Sequence, residues 1–538
     1  IGVEANNDAS GGITNNASSV SVGIATLAKG VGSMAMGVSA DASGKYSLAL
    51  GSGDVNVDYT AGTNHPSASG EKSIAIGYNS NASDLNALAI GTGASVDKQN
   101  ATAVGSGASV TGHNATAVGN DTKAKKQYDN AFGYTSTASG GAATAVGYYA
   151  TASGNQTVAL GSTINSTAQY ATGIGYSVNS QGEGSVAIGA GVDALSASSP
   201  AKQVQATRKN AIAIGRATQA TGESATAIGT DATASSSDAV AIGRLSNASG
   251  GTSISFGYNT KATHTNAVAI GTDVSATEES AIALGRKTKA SALNATAVGP
   301  LAEASENSAS AFGMSASAAN EGSLALGNGA SATVDNGVAL GSGSKANVGS
   351  GTPGFNPHAS RNDPYTNLSG NTLTSTWGAV AVGDGTNTRQ IIGVAAGTND
   401  TDAVNVAQLK ALNLAFTTDG NAGDVNLTNT LSVNGDTDYI ATSGGTGQLT
   451  ISGKIKDISV DTNGTATASK GLANAANVAT AINNANAAQT IKYKANGTGN
   501  NSVKLSDGLN FTDGTTTTAT VGANGQVSFD LNTATKQS

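Results

Sequence analysis

A chain of 538 residues is too long for one ordinary core unless that core is drawn out along an axis. Only 12% of its residues are charged and 4% aromatic, with 72 glycines and 6 prolines, a mixture short of the large apolar groups an enzyme core needs and short of the charge and proline of a disordered chain. A net charge of −8 argues against a nucleic-acid partner, which needs a basic face, and the lack of cysteine excludes a disulfide framework or a thiolate zinc site.

The chain starts at Ile1, shows no signal peptide and holds no run of 18 apolar residues. The expectation is the middle of a longer exported protein whose membrane anchor lies outside this chain. Near residue 20 a repeat begins. An apolar–small–apolar–Gly motif stands at Val20–Gly23, Met34–Gly37 and Leu48–Gly51. It resumes at Ile74–Gly77, recurs every 14 residues to Val186–Gly189, resumes at Ile212–Gly215 and recurs to Val338–Gly341. Val380–Gly383 is the last of 23 copies.

Each motif alternates with period 2, so each is a short strand with one bulky and one tiny face. Five residues after the Gly stands Ala in most copies (Ala42, Ala124, Ala220, Ala332), preceded by a polar residue such as Asp41 or Lys123. That is a second strand, small on one side and wet on the other, with Gly, Asn, Asp and Ser in the corners. Two strands and two corners make a flattened coil. Stacked coils give two parallel sheets, and about 4.8 Å per coil predicts a roll roughly 100 Å long. Facing walls of Ala and Gly leave no room between the sheets, so the bulky residues form an outer stripe: Ile76, Ile90, Val104, Val118, Phe132, Val146, Leu160, Ile188, Ile214, Ile228, Ile242, Phe256, Ile270, Leu284, Val298, Phe312, Leu326 and Leu340. At roughly 1.5–3 kcal/mol for each such side chain buried, a monomer would not leave this stripe exposed. Cyclic symmetry is the economical cover; spacing alone does not separate a dimer from a trimer.

Three stretches interrupt the period. Gly51 to Gly77 and Gly189 to Gly215 each hold 12 extra residues, and Gly341 to Gly383 holds 28. Because whole coils resume in phase, these are loops leaving the roll near 52–70 and 190–208, with a larger excursion over 342–388. Beyond them Val406, Leu409 and Asn413 follow 3-then-4 spacing on a short helix begun by Thr401 or Asp402. Asn413 is either a buried seam residue setting register or an exposed residue at a fraying end. Residues 414–465 read as short strands, Leu431–Val433, Leu449–Ile451 and Ile455–Val460 among them. Residues 470–488 read as a second helix with Ala475, Val478, Ile482 and Ala485 on one seam, and 490–535 read as strands again.

Asn266–Gly271, Asn210–Gly215 and Gly184–Gly189 closely resemble the YadA-type head repeats of trimeric autotransporter adhesins, and Arg389–Lys410 resembles that family's neck almost residue for residue. The resemblance covers about residues 13–413. It implies a mainly β fold: a left-handed parallel β-roll assembled as a homotrimer, then a neck with a short coiled coil and small β modules. The excursion holding Phe355, Pro357 and Trp377 resembles the head insert motif; 414–469 resembles a GIN-type module, and 490–538 a Trp-ring or GIN-type module without its Trp. Implied with these are residence at the bacterial outer membrane and attachment to extracellular matrix proteins, host receptors, abiotic surfaces or other bacteria.

Catalysis finds little support. His65, His113, His264 and His358 are far apart and lack ligand spacing, and His358, Arg361 and Asp363 read as an ordinary loop cluster. No nucleophile elbow, phosphate loop or zinc motif occurs. The expectation is no enzyme activity, no cofactor and no metal. Val406, Leu409, Val478 and Ile482 join the stripe as candidate subunit contacts, and Tyr59, His65, Pro66, Arg208 and Lys209 are candidate ligand contacts on the insertions. The competing class is an ice- or carbohydrate-binding solenoid; interspersed Val and Ile on the Thr-bearing face (Thr102, Thr116, Thr144, Thr226) count against an ice plane.

Overall fold

Fourteen residues close one coil because three of them turn the chain left-handed at defined places. In the coil from Gly77 to Gly91, Gly77 (φ +123°), Asn79 (φ 56°) and Asn86 (φ 58°) bend the backbone, and between them lie the strands Asn81–Ala82 and Leu88–Ile90. The computed structural model describes residues 18–56, 61–192, 202–356, 368–418, 421–427, 429–445 and 448–538. Within them the chain divides into two units, 1–393 and 394–538.

Unit 1 is the roll. Each strand pairs in parallel with the equivalent strand one coil on, residue i with i+14, as in Thr102↔Thr116 and Ser109↔Lys123. The insertions preserve the columns: Leu48 pairs with Ile74, Val186 with Ile212 and Val338 with Val380. At two coils the strand runs on around the corner, giving Val158–Ser166 and Thr172–Ser180.

The interior is narrow and almost all alanine. Two inward columns are those expected, the middle of the motif strand (Ala75, Ala89, Ala103) and the fifth residue after the Gly (Ala82, Ala124, Ala138), all fully buried. The third residue after the Gly supplies another, with Ser80, Ala94 and Thr122. A fourth column, absent from the sequence reading, is the residue before the motif: Ala87, Ala101, Asp129, Thr157 and Ser253, also fully buried. Several hydroxyls there are satisfied locally, while that of Ser33 has no partner among the described residues. Ser47, Ser73, Thr157 and Ser253 each donate to the carbonyl three residues back, at 2.7, 2.7, 2.8 and 2.6 Å, each bond worth about 0.5–1.5 kcal/mol net. Asp129 takes the same column as a carboxylate, accepting from the Lys126, Gly141 and Ala143 amides at 2.7, 2.8 and 3.0 Å.

The interior is not closed to every large aliphatic, a correction to the expectation. Ile164, Val96, Val110, Val178, Val204 and Val274 are buried within it. Where Ile164 and Val178 enter, the facing motif position is Gly173 in place of Ala. Corner side chains stack as well, with Asn86 donating to Asn100 at 2.8 Å and Asn100 to Asn114 at 3.1 Å.

The last coil is closed by Arg389, whose guanidinium donates to the Ser344 hydroxyl at 2.9 Å, to the Ser342 carbonyl at 2.6 Å and to the Val382 carbonyl. The third insertion returns on itself through the antiparallel bridge Pro353↔Thr374; its His358, Arg361 and Asp363 lie outside the described residues.

Unit 2 holds small hairpins and short helices. Helix α1 (Val406–Lys410) is capped by Asn405, not by Thr401 or Asp402. Asn405 accepts from the Gln408 amide at 2.9 Å, and the Gln408 side chain accepts from the Asn405 amide at 3.2 Å, a reciprocal box. Asn413 is not helical. It opens the strand Asn413–Thr417, paired with Ala422–Asn426. Hairpins follow at Ile440–Gly445/Gln448–Gly453, Thr490–Ala495/Thr498–Lys504 and Thr517–Val521/Val527–Leu531. Leu431–Val433 is not a strand. Helix α2 (Ala475–Ala488) falls within the stretch expected to be helical.

Candidate subunit interface

The stripe comes together as read. Parallel register places Val104, Val118, Phe132, Val146 and Leu160 in one continuous column on adjacent strands. None of its predicted members is buried within the chain. The most open are Phe256 at 49% and Leu340 at 44%. A second column, three residues before each Gly, shares this face and includes Met34 and Ile254. The opposite sheet is polar outside, with Lys123, Thr137, Thr151 and Asn165 in its column.

In unit 2, Val406 and Leu409 stand 66% and 59% exposed on α1, beside exposed Val404 and Leu412 that the sequence reading passed over. Their signal was present as apolar residues flanking a short capped helix. On α2, Ala481 is buried and the Asn477 amide donates to the Lys456 carbonyl at 3.3 Å, while Val478 and Ile482 remain exposed. The neck turn is held by polar contacts: the Gln408 side chain exchanges bonds with Gly397 at 3.1 Å each way. Asp402 accepts from the Thr398 and Asn399 amides at 2.9 Å each. Those amides, Asn399 first, hold its carboxyl below the usual carboxylate range.

The candidate ligand residues divide. Tyr59 lies outside the described residues. Pro66 is corrected: it is buried in the inner column two residues before Ala68 of the next strand and cannot reach a ligand. Arg208 and Lys209 are exposed, but they occupy a regular corner of the roll just after the strand Val204–Ala206, so the excursion is shorter than the spacing suggested. His65 is half-buried, its Nδ1 3.3 Å from the Pro66 carbonyl. Both shorter insertions leave as hairpin stems, with antiparallel bridges Val55↔Ala61 and Val192↔Lys202. Each stem is tied to a neighbouring coil. The Tyr78 hydroxyl donates to the Asp54 carboxylate at 3.1 Å, a bond that raises the phenol's pKa, and Lys202 pairs with Asp231 at 3.1 Å.

The chain is thus a parallel solenoid of 14-residue coils, with an alanine interior and an aliphatic column along one sheet that its own fold leaves unburied. The sequence comparisons agree in family. A family described as the YadA head domain repeat matches residues 28–53, 68–94, 97–122, 131–150, 138–163, 220–246, 248–273, 276–302, 290–316 and 318–344. One described as the coiled stalk of trimeric autotransporter adhesin matches 390–432. The chain belongs to the YadA-like trimeric autotransporter adhesins. It is 52% identical over 73 residues to the autotransporter adhesin BadA of Bartonella henselae, a match covering 13% of this chain and 2% of that protein's length. The collagen-binding domain of the Yersinia adhesin YadA is a structural neighbour at 28% identity, covering 36% of this chain and 84% of that one, with a TM-score of 0.23.

Proposed function

We propose that this chain is the head and upper stalk of a homotrimeric surface adhesin, exported to the bacterial outer membrane and acting without catalysis. In this reading 1–388 is the head with its insert, 389–413 the neck, 414–469 and 490–538 small β modules, and 470–489 a second neck-like helix. The carrying observation is the column from Ile76 to Leu340, apolar and unburied over the whole roll. Three copies closing on that column remove it from water, leaving the polar second sheet and the hairpin stems as the contact surface. Attachment to extracellular matrix proteins, host receptors or other surfaces then rests on many weak contacts, strengthened because one cell displays many trimers.

Sedimentation of the full chain at micromolar concentration tests the assembly; a folded monomer rejects it. Solid-phase binding to collagens, fibronectin and laminin tests attachment. Removing the two hairpin excursions tests their part in it, and unchanged binding assigns the contacts to the regular coils.

A further inference from the structure

We infer that the protomers dock edge to edge in coil register, the corner after each repeat Gly of one chain seated on the corner before the motif of the next. The inference rests on the trimer proposed above and names which side chains close its seams. Two corners flank the apolar sheet, and a closed ring of identical subunits brings one against the other. In a parallel ring, coils of the same number lie at the same height, so the two corners of any one coil must suit each other.

They do so in three different chemistries. In the coil of Gly285 the later corner carries Arg286 and Lys287 and the earlier one Glu278 and Glu279, all four exposed. Among the described residues none of the four has an ion-pair partner in its own chain. In the adjacent coil of Gly299 both corners are apolar, Pro300 and Leu301 on one and Leu293 on the other, with the leucines 45% and 42% exposed. In the coil of Gly147 the later corner is bulky, Tyr148 and Tyr149 with ring centroids 4.4 Å apart, and the earlier one is Gly140–Gly141. Charge meets opposite charge, apolar meets apolar, and large meets small, each within a single coil.

The wider pattern agrees. From Glu223 to Glu321 the earlier corner holds acids and no Lys or Arg, while the later corner carries Arg244, Arg286 and Lys287. The acids on that later corner are engaged, Asp231 with Lys202 and Asp273 with the Asn259 amide at 2.8 Å. Two coils set like charges together: Glu223 with Asp231, which Lys202 engages, and Arg216 with Arg208 and Lys209, where Lys209 turns to Glu183 at 3.9 Å.

The chain has no cysteine, so cross-linking gives a clean test. In the full-length L293C/L301C variant the two thiols sit on opposite corners of one protomer, with the strand Thr296–Val298 between them. That strand alone spans about 10 Å at about 3.3 Å per residue, beyond the reach of a disulfide within one chain. Air oxidation with copper phenanthroline is expected to give a covalent trimer on a denaturing gel, collapsing on reduction. L293C/S315C, one coil out of register, is expected to link several-fold less. E278K/E279K is expected to weaken the trimer in low salt, and adding R286E/K287E to restore it. A protein that sediments as a trimer yet stays unlinked at 293 and 301, or is not rescued by the double swap, overturns the seam and leaves the trimer standing. A protein that sediments as a monomer overturns the trimer and the seam together.

Discussion

Gly173 is the sharpest probe of the interior. It holds the inward motif position that is otherwise Ala or Ser, opposite the two adjacent coils that bury Ile164 and Val178. A Cβ built on it would lie 2.6 Å from the Ser166 hydroxyl and 2.8 Å from Cγ2 of Ile164. The hydroxyl can turn, but Ile164 is β-branched and held in a packed wall, so the methyl forces a shift. Overpacking costs roughly 1–3 kcal/mol, offset by about 0.4–1 kcal/mol from the stiffer unfolded chain. Gly173→Ala is therefore expected to destabilise its coil by roughly 1–2 kcal/mol. Ile164→Ala alone opens a cavity at roughly 2–5 kcal/mol, and in that background the added methyl fills space and becomes favourable. The two changes should couple by roughly 1–3 kcal/mol, within the span seen for residues in contact. A solenoid does not unfold all at once, so the readout is hydrogen exchange of the amides in Thr172–Ser180, compared across the four proteins of the cycle. If Gly173→Ala protects those amides equally with Ile164 or Ala at 164, the size-matching argument is wrong.

Gly147→Ala strikes the stacking corner: at φ +134° a Cβ would lie 1.8 Å from the Gly161 carbonyl oxygen, so the change is expected to cost more than about 2 kcal/mol and to open a protease site at that corner. Asp129→Ala removes the acceptor of three buried amide bonds and is expected to lower local stability by about 1–3 kcal/mol, while Asp129→Asn retains part of it; thermal melts by circular dichroism compare the two. The neck turn should be acid-sensitive. Asp402's carboxyl is depressed in the folded chain, so its stabilisation is in place above the unfolded value of about 3.9 and disappears as pH falls through the folded one. Faster exchange of the Thr398 and Asn399 amides below that range, absent in Asp402→Asn, is the signature. Tyr78→Phe should leave the roll folded yet speed proteolytic cleavage of the first hairpin, because the Asp54 bond that ties the stem to the next coil is lost.

Much of this molecule is written in local pattern. The 14-residue period, the small–bulky alternation and the corner glycines are properties of neighbouring residues along the chain, so the coil, the parallel register and the outward column from Ile76 to Leu340 follow from the sequence. The neck cap carried a local signal too, Asn405 three residues before Gln408, yet the helix start was read at Thr401 or Asp402. What escaped depends on meetings between residues distant along the chain. Pro66 looks like a loop residue until the second ladder draws it inside, and Asp129 looks like a turn residue until the amides of the next coil surround it. Asn413 fits a helical seam by spacing, and only its pairing with Asn426 makes it a strand. Ile164 and Gly173 show the same division. Each is unremarkable in its own coil, and only the stacked fold, where interior volume is shared between layers, decides that one may be large because the other has no side chain.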